Sequence, residues 1–152
     1  NRFFFIVISF SFMYSEVKED YMKRVKHSPH KSSFGINANI VILIVWFGAF
    51  FLSLIDSLSF LSFSIPFIIF FVEKDSALVK QHAIQAISLF FFNIILTVVI
   101  YFIPLLSPLF WVVAIVELAL IVVAAQRGWD YQEYDLPFIK PLTEVVKNVL
   151  YR

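Results

Sequence analysis

Four apolar runs in series constrain this chain more than any other feature. They are "ANIVILIVWFGAFFLSLI" (38–55), "SLSFLSFSIPFIIFFV" (57–72), "AIQAISLFFFNIILTVVIYFI" (83–103) and "LFWVVAIVELALIVVAA" (109–125). A helix needs about 20 residues to cross a bilayer core, with roughly 17 as the lower end. Runs one, three and four qualify alone; run two is marginal and contains Pro66. The chain is 61% hydrophobic over 152 residues, with 20 Phe, more apolar surface than so small a soluble domain can bury. Lipid is the expected solvent for the excess. The runs do not alternate apolar with polar residues, which argues against a barrel. One helix through the first two runs would overshoot the membrane, so a tight hairpin around Asp56 is expected, with Pro66 kinking its second arm or Ser62 and Ser64 satisfying the freed carbonyl.

Charge orients these runs. Lys18, Lys23, Arg24, Lys26 and Lys31 precede the first; Lys74 and Lys80 lie between the second and third. Arg127, Lys140, Lys147 and Arg152 follow the fourth, whereas the Asp56 turn and "PLLSP" (104–108) contain no Lys or Arg. Four spans with both termini and the middle loop on the cytoplasmic (or stromal) side account for every placement. The expected fold is all-α: an integral membrane four-helix bundle with amphipathic N- and C-terminal surface helices. Its parts would be 1–37, an apolar segment and a basic surface helix; 38–125, the membrane domain; and 126–152, an interfacial loop and C-terminal helix.

At the N-terminus, "NRFFFIVISFSFMY" has too short an apolar run to span and is expected to be interfacial. "SEVKEDYMKRVK" (15–26) follows as a surface helix, with acids early and bases late. The basic patch "KRVKHSPHK" is read as a contact for anionic lipid, not for nucleic acid. At the other end, "PLTEVVKNVLYR" opens with Pro141 and places Leu142, Val145, Val146, Val149 and Leu150 on one face. That face suits the inner leaflet, or a partner. Trp129, Tyr131 and Tyr134 read as an interfacial aromatic belt, and Trp46 and Trp111 as core or outer-leaflet residues.

Polar residues inside the runs need explaining. Asn93 and Glu117 sit at similar depth, so a hydrogen bond between them is expected, with Glu117 protonated. His82, Gln85, Asn93 and Thr97 form one stripe on the third helix. Interhelical glue is the favoured role of these groups over a path for a proton, an ion or a polypeptide. His27 and His30, with Pro29 between them, read as a solvated loop and not as a metal site. No cysteines, no phosphate-cradling glycine motif and no nucleophile elbow are present. No enzyme, metal or cofactor is therefore expected.

Two stretches carry a family resemblance. "FFVEKDSALVKQHAIQAISLFF" (70–91) resembles K-D-S-x-x-V-x-x-H-x-x-Q-A, and "VVAAQRGWDYQEYDLPF" (122–138) resembles an A-A-x-x-G-x-x-Y-x-Y-P ending with Asp135 and Leu136 inserted before Pro137. Together they resemble the Tic-twenty-like family of small four-span membrane proteins, which includes a chloroplast inner-envelope import subunit and bacterial relatives. The motif falls on Lys74, Asp75, Ser76, Val79, His82, Gln85 and Ala86, then Gly128 and Pro137. In that frame Asp75 or Ser76 caps the third helix, and His82 and Gln85 bond the loop containing Gly128. Gly128 would leave the fourth helix with a positive φ. The resemblance implies a plasma-membrane or plastid inner-envelope protein, an accessory subunit of a larger membrane complex, with protein translocation as its example. The alternative is a small transporter or channel using Glu117, Asn93 and His82.

Overall fold

The computed structural model describes residues 25–53, 61–136 and 138–152. The N-terminal apolar segment, most of the expected 15–26 helix, the Asp56 turn and Pro137 lie outside the described residues. Among the described residues the chain is helical, with two isolated β-bridges, Lys26 with Gln132 and Lys31 with Asn37. Helix α1 runs over 38–53 as Ala38–Leu43, a π-helical turn at Ile44–Gly48, and Ala49–Ser53. Helix α2 is Ser64–Val72, α3 Ala77–Phe102, α4 Ser107–Trp129 and α5 Lys140–Leu150.

Length separates these helices into two kinds. At about 1.5 Å per residue, α3 is about 39 Å long and α4 about 35 Å, enough for a bilayer core of about 30 Å. Helix α1 reaches about 24 Å and the nine residues of α2 about 14 Å. Among the described residues two helices, not four, are thus long and apolar enough to span. The four-span expectation counted apolar residues, but α2 takes up only Ser64–Val72 of the second run. Pro66 stands in the first turn of α2, where its missing N–H costs no helical bond, so it marks a start and not a kink. The Ser64 hydroxyl donates to the Leu61 carbonyl there.

The core lies at one end of the bundle. Ala38, Val41, Ile42, Val45 and Trp46 of α1 are nearly inaccessible. They pack against Leu78, Val79, Ala86 and Leu89 of α3 and Ile121, Ala124 and Ala125 of α4. The other halves of α3 and α4 remain open. Only 39% of the most apolar window of α3 and 22% of that of Trp111–Trp129 are buried within the chain. Ile95, Tyr101, Phe102, Trp111 and Ile115 are all exposed. In water such a surface would be costly to leave open, whereas lipid tails cover it without that cost.

Candidate functional site: a polar cap at the buried end

Three polar segments, 25–37, 73–76 and 130–136, meet above the core, where α1 begins, α2 passes to α3, and α4 ends. Their centre is Glu73, fully buried one residue past the end of α2. Its Oε1 accepts from the Ser33 N–H at 3.0 Å, the Asp75 N–H at 3.0 Å and the Ser76 N–H at 2.9 Å. The Ser33 hydroxyl lies 2.8 Å from both Glu73 Oε1 and Asp75 Oδ2, so its one proton can serve either carboxylate. Its oxygen accepts from the N–H groups of Lys74 and Asp75. Burial alone would push the Glu73 carboxyl up. The bonds from Ser33, Ser76 and Asp75 outweigh it and hold the group below its ordinary value.

Of the two expected caps for α3, Ser76 is the one used: its Oγ accepts from the Val79 N–H at 3.2 Å. Its hydroxyl also meets His30 Nε2 at 2.7 Å. His30 Nδ1 lies 2.8 Å from the Ser28 carbonyl, which can only accept, so Nδ1 carries the proton and Ser76 donates to Nε2. His27 meets Glu133 at 2.9 Å. The two histidines are half-buried and tethered, in a loop whose Lys26, Ser28, Pro29 and Lys31 are exposed. No cluster able to hold a metal occurs among the described residues.

The first turns of α3 hold the chain that leaves α4. His82, fully buried, accepts from Trp46 Nε1–H at 3.1 Å through Nδ1, and its Nε2–H donates to the Gln132 carbonyl at 3.0 Å. A donor on one side and an acceptor on the other select the Nε2–H tautomer. Gln81 donates to the Tyr134 carbonyl at 2.7 Å and to Asp135. Gln85 donates to Asp135 Oδ1 at 2.9 Å and accepts from the Leu136 N–H at 3.1 Å. Being four apart, the two glutamines share a helix face and grip consecutive backbone groups of 134–136. Asp135 and Leu136, the insertion in the ending, are what that grip holds.

Gly128 plays a different part from the one expected. It is inside α4, which continues to Trp129, and beyond that helix positive φ angles fall on Tyr131 (57°) and Phe138 (71°). A Cβ at Gly128 would sit 2.2 Å from Ile42 Cγ2. Glycine is required here because α1 and α4 approach too closely for any side chain.

The aromatic belt also dissolves on inspection. Tyr134 is core, Tyr131 donates to Asn39 Oδ1 at 3.2 Å, and only Trp129 is exposed. Trp46, placed by its run alone in the core or the outer leaflet, is the partner of His82. Deeper in the bundle, Asn93 Nδ2 donates to Glu117 Oε1 at 2.5 Å. The pair lines a cleft of about 370 Å³ walled by Trp46, Phe50, Phe63 and Phe90. Thr97 is exposed, so the polar stripe of α3 ends at Asn93. Lys74 is exposed and contributes its backbone N–H alone to these bonds.

Sequence reasoning missed Glu73, Ser33 and Gln81. Glu73 had one available signal, an acid closing an apolar run three residues before a helix-capping serine. Ser33 had none, because its partners lie some 40 residues away.

A family model settles the relationship. The model of the magnetosome magnetite crystal formation protein family, MamF_MmsF, matches residues 37–143, which take in α1 to α4, the cap segments after α2 and α4, and the start of α5. The chain belongs to this family. No curated protein and no solved structure matches the chain. The MamF_MmsF match overturns the resemblance to Tic-twenty-like proteins. The motif behind that resemblance, Lys74 to Ala86 with Gly128, is a set of capping and packing residues, which dissimilar families can share. The plastid envelope and protein translocation rested on the resemblance and fall with it. Magnetosome family membership and two spanning-length apolar helices identify a small membrane-associated protein.

Proposed function

We propose that this chain is a non-catalytic integral membrane protein that acts in magnetite crystal formation at the magnetosome membrane. The observation that carries the reading is the family match over 37–143. In this reading α3 and α4 anchor the chain and the cap is its working end outside the lipid.

The cap geometry supports a holding role over a reaction. Ser76 and His30 have the atoms of a nucleophile–base pair. Yet Ser76 is 1% exposed and its oxygen is tied to the start of α3, so no substrate carbonyl can approach it. Both His82 nitrogens are committed, and Glu73 is saturated by donors.

The test is genetic and structural together. In magnetite-forming cells lacking their own family member, this chain should restore crystal size, shape and number, measured by electron microscopy. Crystals left unrestored while the protein reaches the magnetosome fraction would defeat the crystal role. Co-purification in mild detergent examines the accessory-subunit form of the idea, and a stable set of larger membrane proteins is the expected result.

The topology we propose keeps both ends of the α1–α2 pair on the cap side, which the lysine distribution makes cytoplasmic. At about 24 and 14 Å, the two short helices enter the bilayer without crossing it as regular helices. A cysteine at Asp56 should then resist labelling from the face opposite Lys74; ready labelling there would restore four crossings.

A second reading, passage of a small cation, has one observation behind it: the Asn93–Glu117 pair faces a cleft. Glu117→Gln would decide it. Intact assembly with lost flux supports transport, and intact assembly with unchanged function leaves the pair as interhelical glue.

A further inference from the structure

Helix α5 is built with three faces. Thr143, Val146 and Leu150 turn inward, where Val146 and Leu150 pack with Ala83, Ile84 and Ile87 of α3 and with Phe67 and Phe70 of α2. Roughly a quarter-turn away lie Leu142, Val145 and Val149, of which Val145 is 58% and Val149 67% exposed. Lys140, Glu144 and Lys147 occupy the side opposite that open stripe. The amphipathic face expected from sequence is therefore divided, one part spent on the bundle and one part uncovered.

We propose that α5 lies along the cytoplasmic surface of the bilayer, with Val145 and Val149 seated among the upper acyl chains of anionic lipid. Three observations name lipid as the occupant. First, α5 packs its inward face on Ala83, Ile84 and Ile87 near the start of α3, which seats it at the cap end of a helix long and apolar enough to cross a membrane. Second, the open stripe continues an apolar belt: Phe71 and Val72 at the end of α2 are exposed, next to Phe70, which meets Tyr151 edge-on at 5.6 Å. Phe138, 82% exposed just before α5, extends the belt. Third, the charge at this end is basic. Exposed Lys26, Lys31, Lys74, Lys140, Lys147 and Arg152 outnumber the exposed acids Asp75, Asp130, Asp135 and Glu144, and suit an anionic headgroup layer.

The inference rests on the membrane assignment, and its test separates the two. The chain has no cysteine, so single cysteines can be placed at Glu144, Val145, Val149 and, as a reference on the exposed side of α4, Ile115. Each variant of the full chain carries an environment-sensitive fluorophore in bilayer discs of phosphatidylcholine and phosphatidylglycerol. Bromine on the upper acyl carbons should quench most of the emission at 145 and 149, and aqueous iodide should spare it. At Glu144 the order should reverse. Iodide quenching at 145 and 149 with Ile115 still quenched by bromine would overturn the seating of α5 alone. Iodide quenching at Ile115 as well would overturn the membrane assignment itself. Protection from both quenchers, with Val149→Cys forming a disulfide-linked dimer, would put a second copy on the stripe and also overturn the proposal.

Discussion

The two ends of α3 belong to one continuous helix and have opposite fates. From Leu78 to Leu89 the helix is buried by α1, α2, α4 and α5, and its polar side chains are bonded to distant backbone. From Phe91 to Phe102 most residues are open, and no packed layer covers them. The first half is folded as a water-soluble core is folded, by burial and satisfied hydrogen bonds. Among the described residues the second half is mostly uncovered by protein, and lipid suits it as solvent. Asn93 and Glu117 stand where one regime gives way to the other. What the contrast teaches is that hydropathy reports the need for cover and not who supplies it.

Mutations can break this contrast, the strongest first. Glu73→Ala should cost about 3 kcal/mol or more, because the N–H groups of Ser33, Asp75 and Ser76 lose their shared acceptor in a buried place. Thermal unfolding of the detergent-solubilised protein measures it, and a loss under about 1 kcal/mol would mean that water reaches the cap. Gly128→Ala should follow, at about 2–3 kcal/mol, since α1 must move off α4 to admit the Cβ. Retention of the wild-type midpoint would deny that close approach. Trp46→Phe should cost about 1–2 kcal/mol by stranding His82 Nδ1. At the other extreme, Ile115→Ala on the exposed side of α4 should change stability in detergent by under about 0.5 kcal/mol. A large loss there would reveal a protein contact and erase the distinction between the halves.

Acid sharpens the comparison further. The folded Glu73 carboxyl lies below its ordinary value of 4.5, so folding favours its charged form. That contribution is complete above pH 4.5 and is lost as pH falls from there through the folded value. Unfolding scans from neutral pH downward should show wild type losing stability in this window. Glu73→Gln, weaker at neutral pH, should lose less. Parallel curves for the two proteins would remove Glu73 as the source.

Much of the helical content could be read from the chain. The cap could be read only in part. Ser76 announced itself as a helix cap because capping is local, set by a side chain reaching a backbone N–H three residues on. Gly128 closes an apolar run, and a missing Cβ looks the same in sequence whether a turn or a neighbouring helix demands it; here the neighbouring helix does. Trp46 looked like one more apolar residue in a run, and only its indole N–H distinguishes the site it fills. The C-terminal stripe was visible as a period, but not its division between Val146 and Val149.

The amino-acid order by itself determined that this protein is helical and that lipid must share in covering it, since periodic apolar runs dictate both through local geometry and transfer free energy. Tertiary structure alone decided which helices reach across and which polar groups close the cap. Those outcomes hang on pairs such as Ser33 with Glu73 and His27 with Glu133, separated by 40 and 106 residues. Contacts that distant carry no periodic trace; they exist only once the helices between them have packed.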